Sequence, residues 1–418
     1  MEEWKEYRLG DICSRVCSGG TPSSRHDEYY GGNIPWLNTK EVDFKPIYNT
    51  EKKITQEGLE NSSAKWIEEN TIVVAMYGAT AGKTAIAKIP LTTNQACCNL
   101  TINPTVADYR FVYYSLANKF NELASLANGG AQQNLNAQII KDFVISLPGI
   151  YTQKFIANIL SSLDEKIENN RKINSNLEEQ AKALFKSWFI DFEPFKDGKF
   201  VDSELGKIPE GWEVGRYDDI VSATVAGDWG KDKPIGNYVH EVTCIRGCDF
   251  QDIKNGLTGN APSRFILEKN FKNKCFANND ILVEISGGTQ TVSTGRVCPI
   301  SQELISRYNG NVVCTNFCRV LRPIEEYSAF IYYSWLYKYN HKVMFGYENG
   351  TSGIKNFRLN DFLSMEPLII PPKDEVAEFQ KVIDTINAQM QTTGLESSKL
   401  VETRDSLLPR LMSGEIEV

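Results

Sequence analysis

After Leu147-Pro148-Gly149, apolar side chains return every three or four residues: Ile156, Leu160, Leu163 and Ile167, then Leu177, Ala181, Leu184 and Trp188. Asn170 and Asn174 hold the two middle places. This alternation of four and three is a heptad seam, and it predicts one long helix. Advancing by 223 residues finds a second seam: Phe379, Ile383, Ile386, Met390, Thr393, Ser397, Leu400, Arg404, Leu407 and Leu411. Both are apolar at the ends and polar in the middle, Asn170/Asn174 against Thr393/Ser397. The shared interruption predicts that the two helices pack on one another, with the polar stretch fixing their register at some cost in stability. Antiparallel packing is expected, because each helix follows a globular module that needs room. Two unrelated amphipathic helices on separate cores are the alternative. A helix of about 40 residues runs roughly 60 Å.

Between the seams the pattern changes to short apolar runs bounded by glycine, the mark of buried strands. Thr71-Ile72-Val73-Val74-Ala75-Met76, ended by Gly78, has a counterpart in Asp280-Ile281-Leu282-Val283-Glu284-Ile285-Ser286, ended by Gly287-Gly288. Leu91-Thr92-Thr93-Asn94-Gln95 parallels Val313-Cys314-Thr315-Asn316-Phe317. Tyr109-Arg110-Phe111-Val112-Tyr113-Tyr114-Ser115-Leu116 parallels Phe330-Ile331-Tyr332-Tyr333-Ser334-Trp335-Leu336, both aromatic-rich helix candidates. Polar loops follow, Asn128-Gly129-Gly130-Ala131-Gln132-Gln133-Asn134 and Asn349-Gly350-Thr351-Ser352-Gly353-Ile354-Lys355-Asn356. Even the openings match: Glu2, Trp4, Arg8, Asp11 and Ile12 recur 208 residues later as Glu210, Trp212, Arg216, Asp219 and Ile220. A long-period duplication of this kind gives two similar modules with a built-in pseudo-two-fold relation.

The fold expected is α+β: two mixed α/β modules separated by a pair of long antiparallel coiled-coil helices, pseudo-two-fold symmetric. Residues 1–148 form the first module and 149–193 the central helix. Residues 194–372 hold a linker and the second module, and 373–418 the C-terminal helix packing on the central one. The linker reading rests on the Pro and Gly of Glu193-Pro194-Phe195-Lys196-Asp197-Gly198 and Leu205-Gly206-Lys207-Ile208-Pro209-Glu210-Gly211.

Composition narrows the function classes. No run of about 18 apolar residues occurs, so no membrane span is expected. The opening Met1-Glu2-Glu3-Trp4-Lys5 lacks the basic-then-apolar layout of a signal peptide, which predicts a cytoplasmic chain. Ten cysteines lie in no disulfide framework. Cys13/Cys17, Cys244/Cys248 and Cys314/Cys318 are spaced too widely for a usual structural zinc site, and only three histidines could assist, so small buried thiols are expected and no metal. The net charge of -8 argues against free-standing phosphate binding. Half of that excess falls in 373–418, which leaves the globular modules almost neutral.

Gly78-Ala79-Thr80-Ala81-Gly82-Lys83-Thr84 looks like a phosphate-binding loop, but three residues separate the glycines where that motif needs four. Its counterpart, Gly287-Gly288-Thr289-Gln290-Thr291-Val292-Ser293-Thr294-Gly295-Arg296, has no Gly-Lys-Ser/Thr. Both loops share a Gly-flanked stretch of Ser/Thr with one basic residue, Lys83 or Arg296. Such a loop can bring backbone, hydroxyls and a cation to a phosphate. A hairpin turn that is Gly-rich for conformational reasons is the plain alternative. No constellation for catalysis stands out: HExxH, GxSxG, GxGxxG and the Asn-Pro-Pro-Tyr/Phe type of adenine methyltransferase motif are all missing.

Four longer motifs carry a family resemblance. Leu205-Gly206-Lys207-Ile208-Pro209-Glu210-Gly211-Trp212 resembles the entry into the second target-recognition domain of type I restriction-modification specificity subunits. Ala183-Leu184-Phe185-Lys186-Ser187-Trp188-Phe189-Ile190-Asp191-Phe192 is similar to the end of their central conserved helix. Leu407-Leu408-Pro409-Arg410-Leu411-Met412-Ser413-Gly414-Glu415-Ile416 resembles their C-terminal signature, and Gly31-Gly32-Asn33-Ile34-Pro35-Trp36-Leu37 the opening of a recognition domain. The resemblance implies a non-catalytic subunit whose two recognition domains each read half of an asymmetric, bipartite site on double-stranded DNA. It also implies docking to two methyltransferase subunits and to restriction/translocase subunits. S-adenosylmethionine, ATP and Mg²⁺ then belong to those partners, with no cofactor in this chain.

Base reading asks for amides toward adenine and Lys or Arg toward guanine. The candidates in the first module are Asn38, Thr39, Lys40, Thr80, Lys83, Gln132, Gln133 and Asn134. In the second they are Arg246, Thr289, Gln290, Thr291, Arg296, Ser352 and Lys355. Thr39/Gly247 and Lys40/Cys248 differ in chemistry, so the two modules cannot read the same bases with this loop. A paired-module scaffold for protein ligands and a nucleotide hydrolase using Lys83 are the competing readings.

Overall fold

The computed structural model describes residues 4–127, 134–350 and 354–416. The chain forms two compact units: Met1–Glu165 with Val401–Val418, and the continuous stretch Lys166–Leu400.

In the first unit, Lys5–Arg8 pairs antiparallel with Val144–Leu147, so the strands that enter and leave the module lie side by side. Between them run two sheets. One has the order Cys13–Ser18, Cys97–Ile102, Ile72–Ala75, Thr84–Ala87, Pro46–Ile47, and the other Lys52–Ile54, Tyr30–Leu37, Leu91–Thr93, Trp66–Ile67. Ile72–Ala75 is central and fully buried, as its unbroken apolar run demands. The helix Tyr109–Asn118 starts where the Asp108 carboxylate accepts the N–H groups of Arg110 and Phe111. It lays Phe111, Val112 and Leu116 into a core with Ile72, Val74 and Leu100. Ile156, Leu160 and Leu411 of the long helices complete that core.

The second unit repeats this plan. Glu213–Arg216 pairs with Pro367–Ile370. One sheet has the order Val221–Ala226, Cys318–Pro323, Ile281–Glu284, Val297–Pro299; the other has Ser263–Leu267, Tyr238–Ile245, Val312–Cys314. The duplication read from the chain is therefore a duplication of sheet order, except that among the described residues the edge strands Pro46–Ile47 and Trp66–Ile67 have no counterpart in these sheets of the second unit. One detail of the alignment changes. Trp36 and Leu37 pair with Thr92 and Thr93, whereas Cys244 and Ile245 pair with Val313 and Cys314. Thr93 thus corresponds to Cys314 and Asn94 to Thr315, one residue off the sequence match of Asn94 with Asn316. In a strand, a slip of one residue exchanges the two faces.

The stretch expected to be a linker is folded. Phe200–Ser203 and Gly206–Pro209 form an antiparallel hairpin. Phe192 and Phe195 meet the ring of buried Trp212 at centroid distances of 5.4 and 5.1 Å. Proline and glycine here shape turns rather than mark slack chain.

The long helices run Ile150–Phe189 and Lys373–Met412. Their pairing is antiparallel within each unit. In the first, Asp164 Oδ1 accepts from Arg404 Nη1 at 2.8 Å, while the earlier residues Ile156 and Leu160 share a core with the later Leu411. In the second, Phe185 meets the Phe379 ring tilted at a centroid distance of 6.2 Å and Phe189 meets it edge-on at 5.0 Å. The polar middle of the seam is a buried hydrogen-bonded layer. Asn170 Nδ2 donates to Ser397 Oγ at 3.2 Å, Thr393 Oγ1 donates to Asn174 Oδ1 at 2.5 Å, and Asn174 Nδ2 donates to the carbonyl of Met390 at 3.1 Å. Toward Phe189 the buried positions become Phe185 and Phe189 rather than Leu184 and Trp188. A straight helix of 3.6 residues per turn drifts off a 3.5-residue repeat in this sense.

Candidate nucleic-acid interface

The Gly-rich loop of each unit is the connection of a β-hairpin in the central sheet. In the first unit Ile72–Ala75 returns as Thr84–Ala87 through a short turn at Gly78–Thr80. A strand follows the loop, not the helix a phosphate-binding loop needs, so the nucleotide-site reading falls away. In the second unit Ile281–Glu284 returns as Val297–Pro299. Both hairpins close identically. The N–H of Gly82 donates to the Ala75 carbonyl, and that of Gly295 to the Glu284 carbonyl, both at 2.9 Å. Each glycine sits at positive φ, +87° and +85°. Lys83 and Arg296 are therefore the same position in two copies, and so are Ala75 and Glu284.

Their partners differ. Lys83 Nζ donates to Asp43 Oδ1 at 2.6 Å. Arg296 donates through Nε to Glu284 Oε2 at 2.8 Å and through Nη2 to Oε1 at 2.5 Å. This two-bond pair raises the Arg296 pKa above its ordinary range. Thr80 Oγ1 folds back on the Tyr77 carbonyl at 3.3 Å. In the longer second loop Thr289 Oγ1 accepts the N–H groups of Thr291 and Val292, a local turn that leaves Thr289 and Thr291 exposed beside Gln290.

A second equivalent pair follows the strands Tyr30–Leu37 and Tyr238–Ile245. Asn38 accepts from the N–H of Lys40 and donates its own N–H to Glu41 Oε1 at 3.0 Å, a capping box over the turn Thr39–Glu41. The Thr39 hydroxyl donates to Asn38 Oδ1 at 3.3 Å, and the Lys40 ammonium pairs with Glu51. Arg246 occupies the matching place. Its N–H and Nε donate to Asp249 Oδ2, and Nη2 donates to Oδ1, each at 2.9 Å; Nη2 also donates to the Asn260 carbonyl at 2.9 Å. Burial pushes the Asp249 carboxyl up, but the bonds from Arg246 outweigh it and hold it below the usual range.

The structure brings Arg246 and Arg296 together. Both line one open cavity of about 470 Å³ in the second unit, with Gly247, Cys248 and Glu284 between them and Trp229 and Phe317 among its walls. Thr289, Gln290 and Thr291 lie on the hairpin loop outside this lining. Lys355 sits on the strand Lys355–Phe357, where it pairs with the largely buried carboxylate of Glu348 at 2.7 Å. Asn134 is exposed and bridges backbone to backbone with Tyr77. Gln132, Gln133 and Ser352 lie outside the described residues.

Sequence reasoning passed over Glu284, Trp229 and Phe317. The signal for Glu284 was present: a charge inside the run Ile281-Leu282-Val283-Glu284-Ile285, where the first copy has Ala75. All ten cysteines are free thiols, and six of them are buried, as small hydrophobes would be. Among the described residues, no helix is long and apolar enough to cross a membrane.

The family model for the type I restriction modification DNA specificity domain matches residues 1–179 and 209–400. The chain is 30% identical to the MjaIX specificity subunit of Methanocaldococcus jannaschii, covering 100% of this chain and 94% of the relative. It is 25% identical to the HindI specificity subunit of Haemophilus influenzae, with both chains covered in full. Among solved structures, the type I restriction-modification S subunit from M. genitalium shares the fold, with a TM-score of 0.58 and 17% identity over 98% of this chain and 96% of that one. With two copies of one sheet order and a match running through both, the chain belongs to the family of type I restriction-modification specificity subunits, the subunits of DNA target recognition.

Proposed function

We propose that this chain reads an asymmetric, bipartite site on double-stranded DNA, one half with each unit, and performs no catalysis itself. The observation that carries the reading is equivalence without identity. The two units place hairpin loop and capped turn at the same topological positions, yet present Asn38, Thr39, Lys40 and Lys83 in one and Arg246, Gly247, Cys248 and Arg296 in the other. Copies that bound the same half-site would have no reason to diverge at these places. The remaining candidates in the loops, Thr80, Thr289, Gln290 and Thr291, would add hydrogen bonds to groove edges or phosphates.

Methylation and restriction fall to partners: two methyltransferase subunits, which bring S-adenosylmethionine, and restriction/translocase subunits, which bring ATP and Mg²⁺. Near-neutral modules agree with this division, since partners can contribute to the phosphate clamp. The test is selection from a randomised duplex pool, read by mobility shift, with the chain bound to its methyltransferase subunit. Enrichment of two short defined sequences at a fixed separation is the expected result. Failure to enrich any bipartite sequence would sink the reading.

A further inference from the structure

Arg296 is held by two of its nitrogens and open at the rest. Nε and Nη2 donate to the Glu284 carboxylate, whose side chain is only 8% exposed, while the Arg296 side chain remains 43% exposed into the cavity. A guanidinium carries five N–H donors. The Glu284 bonds occupy Nε and one hydrogen of Nη2. Among the described residues nothing accepts from Nη1 or from the second Nη2 hydrogen. What remains is the end-on edge of the planar group, with two parallel donors on Nη1 and Nη2, held in orientation by a nearly buried carboxylate.

We infer that Arg296 reads a guanine in the half-site of the second unit, with Glu284 and Gly247 as its positioning residues. The inference rests on the DNA-recognition reading above. Guanine presents O6 and N7 side by side in the major groove, and an oriented two-donor edge matches them. A phosphate contact is less well served, because Glu284 already neutralises the charge that phosphate would seek.

Gly247 shows that the pair is built in. A Cβ at that residue would lie 2.5 Å from Glu284 Oε1 and 3.3 Å from Arg296 Nη2. Any side chain there would push the carboxylate aside. The first unit has Thr39 and Ala75 at the matching positions, and its cation, Lys83, pairs instead with Asp43. Glycine and glutamate go together, as do threonine and alanine. Arg246 lines the same cavity but cannot act alike, because its second Nη2 hydrogen goes to the Asn260 carbonyl. Lys83, at the Arg296 position of the first unit, is a point donor with no planar face.

The experiment is the same pool selection with the chain bound to its methyltransferase subunit, run for wild type, Arg296→Lys, Arg296→Ala and Glu284→Gln. Wild type is expected to require guanine at one position of one half-site. Arg296→Lys and Arg296→Ala should lower discrimination there by about 5- to 150-fold, the range for one lost bidentate base contact. The other half-site, still selected, reports that each variant is folded. Glu284→Gln should weaken discrimination at that position alone, which a general loss of stability would not do. With wild-type protein, 7-deazaguanine at the position, which lacks only N7, should reproduce part of the loss. If wild type selects a bipartite sequence and every guanine in it survives Arg296→Ala, this inference is overturned while the recognition reading stands. If wild type selects nothing, both fall.

Discussion

Asp280 shows how far a single side chain can be read. In the sequence it is only the polar residue that opens a buried strand. In the fold its side chain is 3% exposed, accepting the N–H of Ala277 at 2.8 Å with Arg322 Nε 3.5 Å away. Burial pushes its carboxyl up to about 6 despite these partners. A carboxyl raised in the folded state contributes stability when protonated. That contribution is complete below the ordinary carboxylate pKa, about 4, and is lost as pH rises through about 6. Asp280→Asn cannot ionise, so its stability relative to wild type should improve between pH 4 and pH 6 and stay level above. The change should be on the order of 3 kcal/mol. Urea unfolding of both chains across that range at fixed ionic strength measures it, and a flat difference would refute it. The Glu284–Arg296 pair was hidden from sequence for a related reason: composition shows a charge in a strand, but only the closed hairpin shows the cation that meets it.

Among elements, the long helices were the most legible because their signal repeats over many turns. Each polar seam position found a partner, Asn170 with Ser397 and Asn174 with Thr393. The Phe200–Ser203 hairpin was illegible, since Pro and Gly serve a tight turn and a loose linker equally. The strand match slipped by one because Asn94 and Asn316 are identical residues on non-equivalent positions. Gly394 was also invisible. In mid-helix, glycine to alanine ordinarily gains about 1 kcal/mol. Here a Cβ would sit 2.0 Å from the Asn255 carbonyl oxygen and 2.6 Å from the Gly256 backbone, where the second module rests on the helix. Gly394→Ala should therefore destabilise by about 1–3 kcal/mol, as overpacking does. A rise in the unfolding midpoint would show that the helix and loop do not meet so closely. At the same contact Asn174 Nδ2 donates to Asn255 O at 3.0 Å. Asn174→Ala, which removes the bonds to the Asn255 and Met390 carbonyls and the one accepted from Thr393, should lose about 1–3 kcal/mol by the same measurement.

At the scale of the whole molecule, two readers on one chain should act on one DNA as separate terms. Lys83 and Arg296 lie in different compact units and share no partner, Lys83 pairing with Asp43 and Arg296 with Glu284. Substitutions without shared partners add to within about 0.5 kcal/mol. Lys83→Ala should weaken binding through one half-site and Arg296→Ala through the other, and the double variant should lose the sum. The two losses should differ in kind. Lys83 is a point charge with a single bond, to the half-exposed Asp43, so its removal should cost affinity on many sequences and flatten the salt dependence by at most about one phosphate contact. Arg296 is held in one orientation by the nearly buried Glu284, so its removal should above all change base preference at one position. Titrating the chain with its methyltransferase subunit on the selected duplex at several salt concentrations separates these outcomes. A double variant no weaker than either single one would mean that both residues serve one contact, and the division of the target between the two units would have to be abandoned.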